Sequence, residues 1–213
     1  MVNKYIKALG LTVILTVLGI LLIGFADDAR LSQVSSVLEE NAIAIESTQQ
    51  LLFYESITGD TENVCNVLSK RIDLQAGKTN DFLMELEGVN AQTFFANTEL
   101  AKMKFLNQNI QLYLLVQKSI LDCGNEIKPI LYFYTDKSFS ADEAAQAKIL
   151  NSVVKQCPNV RVFAFPHDLD IPVVDVLVSK HSTTRYPAIV VENEKIEGLS
   201  SEELIIGKVA CKP

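Results

Sequence analysis

Few residues in this chain are of a type that does covalent, metal or redox chemistry: Cys65, Cys123, Cys157, Cys211, His167 and His181. A C-x-x-C pair would support thiol–disulfide exchange or half of a zinc site, and no two of these cysteines stand at that spacing. Neither histidine lies at metal-ligand spacing from a cysteine or from the other histidine. Both therefore read as surface or hydrogen-bonded residues, and no metal or other cofactor is expected. A Ser/His/Asp or Cys/His catalytic set would have to use His167 or His181, and G-x-S-x-G, H-E-x-x-H and phosphate-cradling glycine loops are missing from the sequence. The meaning of the cysteines then turns on compartment. In an oxidising one they read as two structural disulfides, with three possible connectivities.

The compartment is read from the N-terminus. Ala8 to Phe25 is a run of 18 residues without a charge, which as a helix reaches about 27 Å against a hydrocarbon core of roughly 30 Å. Lys4 and Lys7 precede it and Asp27 and Asp28 follow. The positive-inside rule then leaves a cytoplasmic N-terminus of about seven residues, too short for a domain, and places the rest outside the cytoplasm on a single-pass anchor in the cell membrane. The alternative is a signal peptide cleaved near Gly24-Phe25-Ala26, with the remainder secreted. Thr12, Thr16 and Gly19 share one helical face and could meet another membrane helix, although small residues are ordinary in an anchor. The chain carries 26 acidic against 19 basic residues and a formal charge of −7. That balance argues against nucleic acid as a partner and against docking on anionic lipid headgroups.

These residues must be positioned by the elements that follow, and the sequence divides near Gly124. Residues 1–26 form the anchor, 27–124 a helical bundle or stalk, and 125–213 a second domain. From Asp28 to Cys123 there is no Pro and the apolar residues recur at helical spacing. Leu31, Val34, Leu38, Ala42, Ile45 and Leu52 make one stripe. Gly59-Asp60 breaks it, and Thr61 can cap a second helix whose stripe is Val64, Leu68, Ile72, Phe82 and Leu86. A third carries Ala101, Phe105, Leu112, Val116 and Ile120. An antiparallel hairpin would bring Cys65 to Cys123 only if its turn falls near residue 94, within 88–98. Helices over about 61–87 and 98–122 follow, giving an antiparallel three-helix region or a stalk continuous with the anchor.

Beyond Gly124 all six prolines appear, and short β-branched and aromatic runs alternate with helical ones. Lys128 to Thr135 reads as a buried strand, about 140–156 as a helix, Val160 to Phe165 as a strand and Ile171 to Lys180 as a helix. Ala188 to Val191 is a third strand, turning through Glu192-Asn193-Glu194 into a fourth around Ile196. Ser200 and Glu203 form a capping box for a last helix through about Val209. The fold class is α+β in several parts, and this last part runs β-α-β-α-β-β-α.

That order, together with ILYFYT running into a helix, VRVFAFPHDLDIPVVDVLVSKH and TTRYPAIVVENEKIEG, resembles the thioredoxin-like fold over about residues 127–213. The resemblance places a cis-proline at Tyr186-Pro187. It also implies a Cys157–Cys211 bridge, because the helices before these residues share one face of the sheet in that fold. The chain departs from the redox members of the family where their C-x-x-C would stand: those two positions fall on Ser140 and Glu143, which form a capping box instead. Enzymatic thiol exchange is therefore not expected. Binding remains, since the fold holds extended peptides between the loop before the cis-proline and the start of the first helix. Ser138, Phe139, Ser140, Arg185, Tyr186 and Pro187 would line that groove. The expected function is a membrane-anchored, extracytoplasmic, redox-inactive thioredoxin-like module that binds or scaffolds an exported or membrane protein. The alternative is a divergent oxidoreductase or redox accessory of envelope disulfide metabolism using Cys157 or Cys211.

Overall fold

A computed structural model of the chain describes residues 2–92 and 99–211. The architecture is α+β, with long helices leading into a four-stranded mixed sheet. The first helix, α1, runs unbroken over Val2–Thr58, 57 residues, or about 85 Å at the α-helical rise. Its segment Leu9–Ala26 has a mean hydropathy of 2.6, and none of it is buried against the rest of the described protein. It is long and apolar enough to cross a membrane or to serve as a signal sequence. Beyond it, Leu38, Asn41, Ile45 and Thr48 are buried and Leu52 is half-buried. This seam advances in alternating steps of three and four residues, so Asn41 takes the inner position expected for Ala42, which is exposed. The expected stripe positions Leu31, Val34, Phe82 and Leu86 fall outside the described side chains.

Gly59, at φ +69°, ends α1 where a side chain would be strained. Helix α2, Thr61–Gln92, begins with Thr61 already in its first turn, while the Asp60 carboxylate holds the Asn63 amide at 3.0 Å. Helix α3 is Glu99–Cys123. The turn between α2 and α3 falls at 93–98, outside the described residues. Cys65 and Cys123 are bonded across a separation of 58 residues, which on the chain-entropy account stabilises by about 4 kcal/mol.

Strands β1 (Lys128–Tyr134), β2 (Val160–Pro166), β3 (Ala188–Val191) and β4 (Glu194–Glu197) lie in the order β2-β1-β3-β4. β1 and β2 are parallel, as a helical crossover requires, and the other pairs are antiparallel. The β3–β4 turn places both Glu192 and Asn193 at positive φ, the signature of a two-residue type I′ hairpin. Helices α4 (Ala141–Gln156), α5 (Pro172–Lys180) and α6 (Glu202–Val209) complete the chain. The cap of α6 is Ser201, whose hydroxyl accepts from the Leu204 amide at 3.3 Å. Ser200, the residue expected there, is buried with its amide on Gln146 Oε1 at 2.7 Å, so the helix starts one residue later.

The sheet is covered on both faces. Ile130, Tyr132, Val160 and Ile189 pack with Leu150 and Val153 of α4 and Ile205 and Val209 of α6, a layer closed by the Cys157–Cys211 disulfide. On the other face Leu131, Phe133, Phe163, Phe165 and Val190 share one core with Val174 and Leu177 of α5, Leu68 and Ile72 of α2, and Ile110, Tyr113 and Val116 of α3. Tyr113 meets Phe163 edge-on at 5.3 Å and Phe165 at 6.2 Å. The sequence boundary near Gly124 is thus spanned by continuous hydrophobic packing. Phe163→Ala, which empties a site only 2% exposed, should cost about 3–5 kcal/mol. Helix melting followed by far-UV circular dichroism and sheet packing followed by near-UV dichroism should shift to lower urea together. A shift of one signal alone would show that bundle and sheet unfold separately.

Candidate functional site

The polar groups converge where β1 and β2 end and α4 begins. Ser140 caps α4: its hydroxyl accepts from the Glu143 amide at 3.2 Å, and Glu143 Oε2 accepts from the Ser140 amide at 2.6 Å. The capping box read from the sequence is therefore present. Glu143 does more than cap. It is only 2% exposed, and its other oxygen accepts from the Thr135 amide at 2.6 Å. Its own carbonyl accepts from the buried Tyr132 hydroxyl at 2.8 Å. Asp168 does the same from the end of β2, accepting from the amides of Asp136 and Lys137 at 2.7 and 2.9 Å. Lys102, from the start of α3, pairs with Asp136 at 2.8 Å. Two carboxylates thus hold four successive-turn amides of the 135–140 loop.

Electrostatics follow from those bonds. Burial works to raise the pKa of Glu143, yet the donors of Ser140 and Thr135 outweigh it and leave it below the ordinary carboxylate range. Burial likewise opposes, and the Asp136 and Lys137 amides overcome, in lowering Asp168. Tyr132 is pushed up by burial first and then by the negative charge of Glu143.

Tyr186 and Pro187 stand at the head of β3, joined by a cis peptide bond. The Tyr186 ring stacks on His167, centroids 3.6 Å apart and planes within 2°. His167 Nε2 lies 3.3 Å from Thr135 Oγ1, which links Tyr186 to the loop that Glu143 holds. The preceding loop is fastened by Glu197, which accepts from the Thr184 amide at 2.7 Å and more loosely from that of Arg185. The Thr184 amide first, then Lys195, hold the Glu197 carboxyl at about 2.

Of the six groove residues, Ser138, Ser140 and Arg185 are exposed, Tyr186 is half-buried and Pro187 buried. Phe139 is 50% exposed and meets Tyr134 edge-on at 5.7 Å. The six share one end of the sheet but do not line one cavity. Phe139 opens into a cleft of about 320 Å³ beside β2, whose walls come from α3 and α4, whereas Tyr186 packs on the opposite face with the bundle core. A second cavity, of about 300 Å³, lies at the other end of β1 and is lined by Tyr113, Gln117, Lys128, Lys180 and His181 among others. Among the described residues no three His, Cys, Asp or Glu side chains gather as metal ligands, and no cysteine is free.

Sequence reading passed over Thr135 and Asp168, and took His167 only as a surface or hydrogen-bonded residue, without its partners Thr135 and Tyr186. The signal was the acidic turn His167-Asp168-Leu169-Asp170 directly after a strand parallel to β1, where a carboxylate meets the amides of the neighbouring loop.

Both carboxylates have folded pKa values below their unfolded ones. Their stabilisation is therefore complete above about pH 4 and is lost as pH falls through the lower folded values. Urea stability should hold level from about pH 7 to 5 and drop below about pH 4, and a Glu143→Gln/Asp168→Asn variant should show a shallower acid limb. Glu143→Gln alone, which turns an amide donor toward an amide, should cost about 1–3 kcal/mol at neutral pH. An unchanged acid limb in the double variant would assign the acid sensitivity elsewhere.

No protein family, curated protein or solved structure matches the chain.

Proposed function

We propose that this chain is a membrane-anchored, extracytoplasmic, redox-inactive thioredoxin-like protein that binds or positions an exported or membrane protein through the loop before Pro187. The observation that carries the reading is chemical. The two positions where a thioredoxin-like redox site would hold cysteines are Ser140 and Glu143, and both side chains are committed to capping α4 and pinning Thr135. All four cysteines are consumed in two disulfides remote from that helix start, so no thiolate is on hand to attack a substrate disulfide.

Support for the fold assignment comes from the element order, the β2-β1-β3-β4 sheet and the placing of α4 and α6 on one face with α5 on the other. Binding is supported by the backbone of Tyr186: among the described residues neither its N–H nor its C=O has a hydrogen-bond partner, although the amides of Thr184 and Arg185 just before it are taken by Glu197. Free backbone groups beside an ordered loop suit an extended peptide. The anchor reading is supported by the fully exposed apolar surface of Leu9–Ala26 and by the unbroken passage of α1 from that segment into the bundle. A helix with an apolar surface on every side needs lipid or protein around it.

A photo-reactive residue in place of Tyr186, with the protein in its native membrane, should crosslink one discrete exported or membrane protein. The same residue in place of Lys180, at the other end of the sheet, should not. Equal capture from both positions, or from neither, would overturn the groove. Alkylation of the native, unreduced protein should label no cysteine, and a labile thiol of low pKa would favour the redox alternative.

A further inference from the structure

The edge of the sheet at β2 is answered at Val160 and open beyond it. In the ladder with β1, the His167 amide donates to Tyr134 O and the Lys128 amide to Asn159 O, which with the strand register turns the odd-numbered residues of β2 toward β1. Val160, Val162, Ala164 and Pro166 therefore direct their backbone groups away from the sheet. Three of those groups are already answered and a fourth does not exist. The Val160 amide donates to Cys157 O at 2.9 Å, and its carbonyl accepts from Arg161 Nη1 at 2.9 Å. The Ala164 carbonyl accepts from Asn109 Nδ2 at 3.2 Å, and Pro166 has no amide to offer. The remainder, the N–H and C=O of Val162, the N–H of Ala164 and, at the end of the strand, the C=O of Pro166, have no partner among the described residues.

Val162 and Ala164, which carry a donor, an acceptor and a donor in succession, line the 320 Å³ cleft. Its walls differ by face: Tyr134, Leu150 and Val154 lie on the α4 side, and Phe105 and Leu112 on the α3 side. We propose that this cleft is a strand-addition site that takes about three residues of an extended, uncharged, apolar segment of another polypeptide. The backbone selects that occupant. A donor–acceptor–donor row at strand spacing needs an acceptor, a donor and an acceptor in return, which an extended peptide supplies and an acyl chain does not. Successive side chains of such a segment point to opposite faces, one into the α4 side and the next into the α3 side. Among the described residues the wall carries no carboxylate and one cation, Arg161, which is paired with Asp73 at 2.9 Å, so a charged side chain entering it would be desolvated without a counterion from them. The site is separate from the Tyr186 loop and does not depend on it.

The test uses the full, disulfide-intact chain in lipid nanodiscs and capped pentapeptides of alternating threonine, valine and leucine. Saturable binding should slow hydrogen exchange at the Val162 and Ala164 amides, read by NMR. Methylating the peptide nitrogens one at a time should weaken binding about tenfold at one position, the loss of one hydrogen bond. Ala164→Pro, which removes one of the three groups at an edge where proline is tolerated, should weaken it by a similar factor. Ala147→Phe, which fills the α4 side, should do so without touching the backbone. Tyr186→Ala should leave it unchanged, so failure here and failure of the Tyr186 groove are distinguishable. Equal affinity for every methylated peptide, unchanged exchange at Val162 and Ala164, or no saturable binding of any pentapeptide would overturn the proposal.

Discussion

Helix α3 is buried from two directions, and most of the molecule follows from that constraint. An amphipathic helix of a simple bundle needs one apolar stripe. α3 instead buries Ala101, Phe105, Leu106, Ile110, Leu112, Tyr113, Leu115 and Val116, an arc too wide for a single neighbour. Two adjacent polar residues show the division. Gln108 donates to the Leu38 carbonyl of α1 at 2.6 Å, and Asn109 donates to the Ala164 carbonyl of β2 at 3.2 Å. One residue step, about 100° around the helix, separates a bond into the bundle from a bond into the sheet. Neither layer can bury its own apolar face without α3, so bundle and sheet are two sides of one core. The Cys65–Cys123 bridge fastens the far end of this helix to α2 and limits how far these two helices can part in the unfolded chain.

The loop after β1 is stabilised by anions. A helix start favours negative charge through its free amides and its dipole. Glu143 supplies that charge from within the helix and Asp168 supplies it to the neighbouring loop, each through two backbone donors. Hydrogen bonds to a carboxylate are stronger than neutral ones. The loop is therefore held at four of its amides, and what stays exposed in it includes the side chains of Ser138 and Phe139.

Much of this was legible in the sequence because it rests on local rules. The capping box at Ser140, the Glu192-Asn193 hairpin and the strand boundaries depend on residues within a few positions of one another. The sequence left three cysteine connectivities open, and a helical hairpin made Cys65–Cys123 one workable pair, the one that is formed. What escaped depends on distant partners. Ala42 and Asn41 exchange places because the neighbouring helices set the seam, and a polar residue is accepted inside once others can meet it. Ser200 looked like a cap until Gln146, 54 residues earlier in the chain, took its amide. Thr135, His167 and Asp168 carry no motif; they became a site only when β1 and β2 were laid side by side. The docking of the bundle on the sheet was equally hidden, since a helix stripe does not say whether a sheet or another helix covers it.

Helix α1 also sets a height. α2 returns against it, with Lys78 on Glu40, and α3 runs alongside it in the same direction, with Ala101 and Phe105 against Leu38. Lys102 and the loop it holds at Asp136 therefore sit level with Leu38, twelve residues past Ala26, or about 18 Å along the axis. The opposite rim of the sheet, near Lys128 and the Glu192 turn, lies toward the Thr58 end. With Leu9–Ala26 in a bilayer, the rigid loop, the Tyr186 backbone and the head of the β2 cleft look down toward the lipid rather than out into the surrounding space.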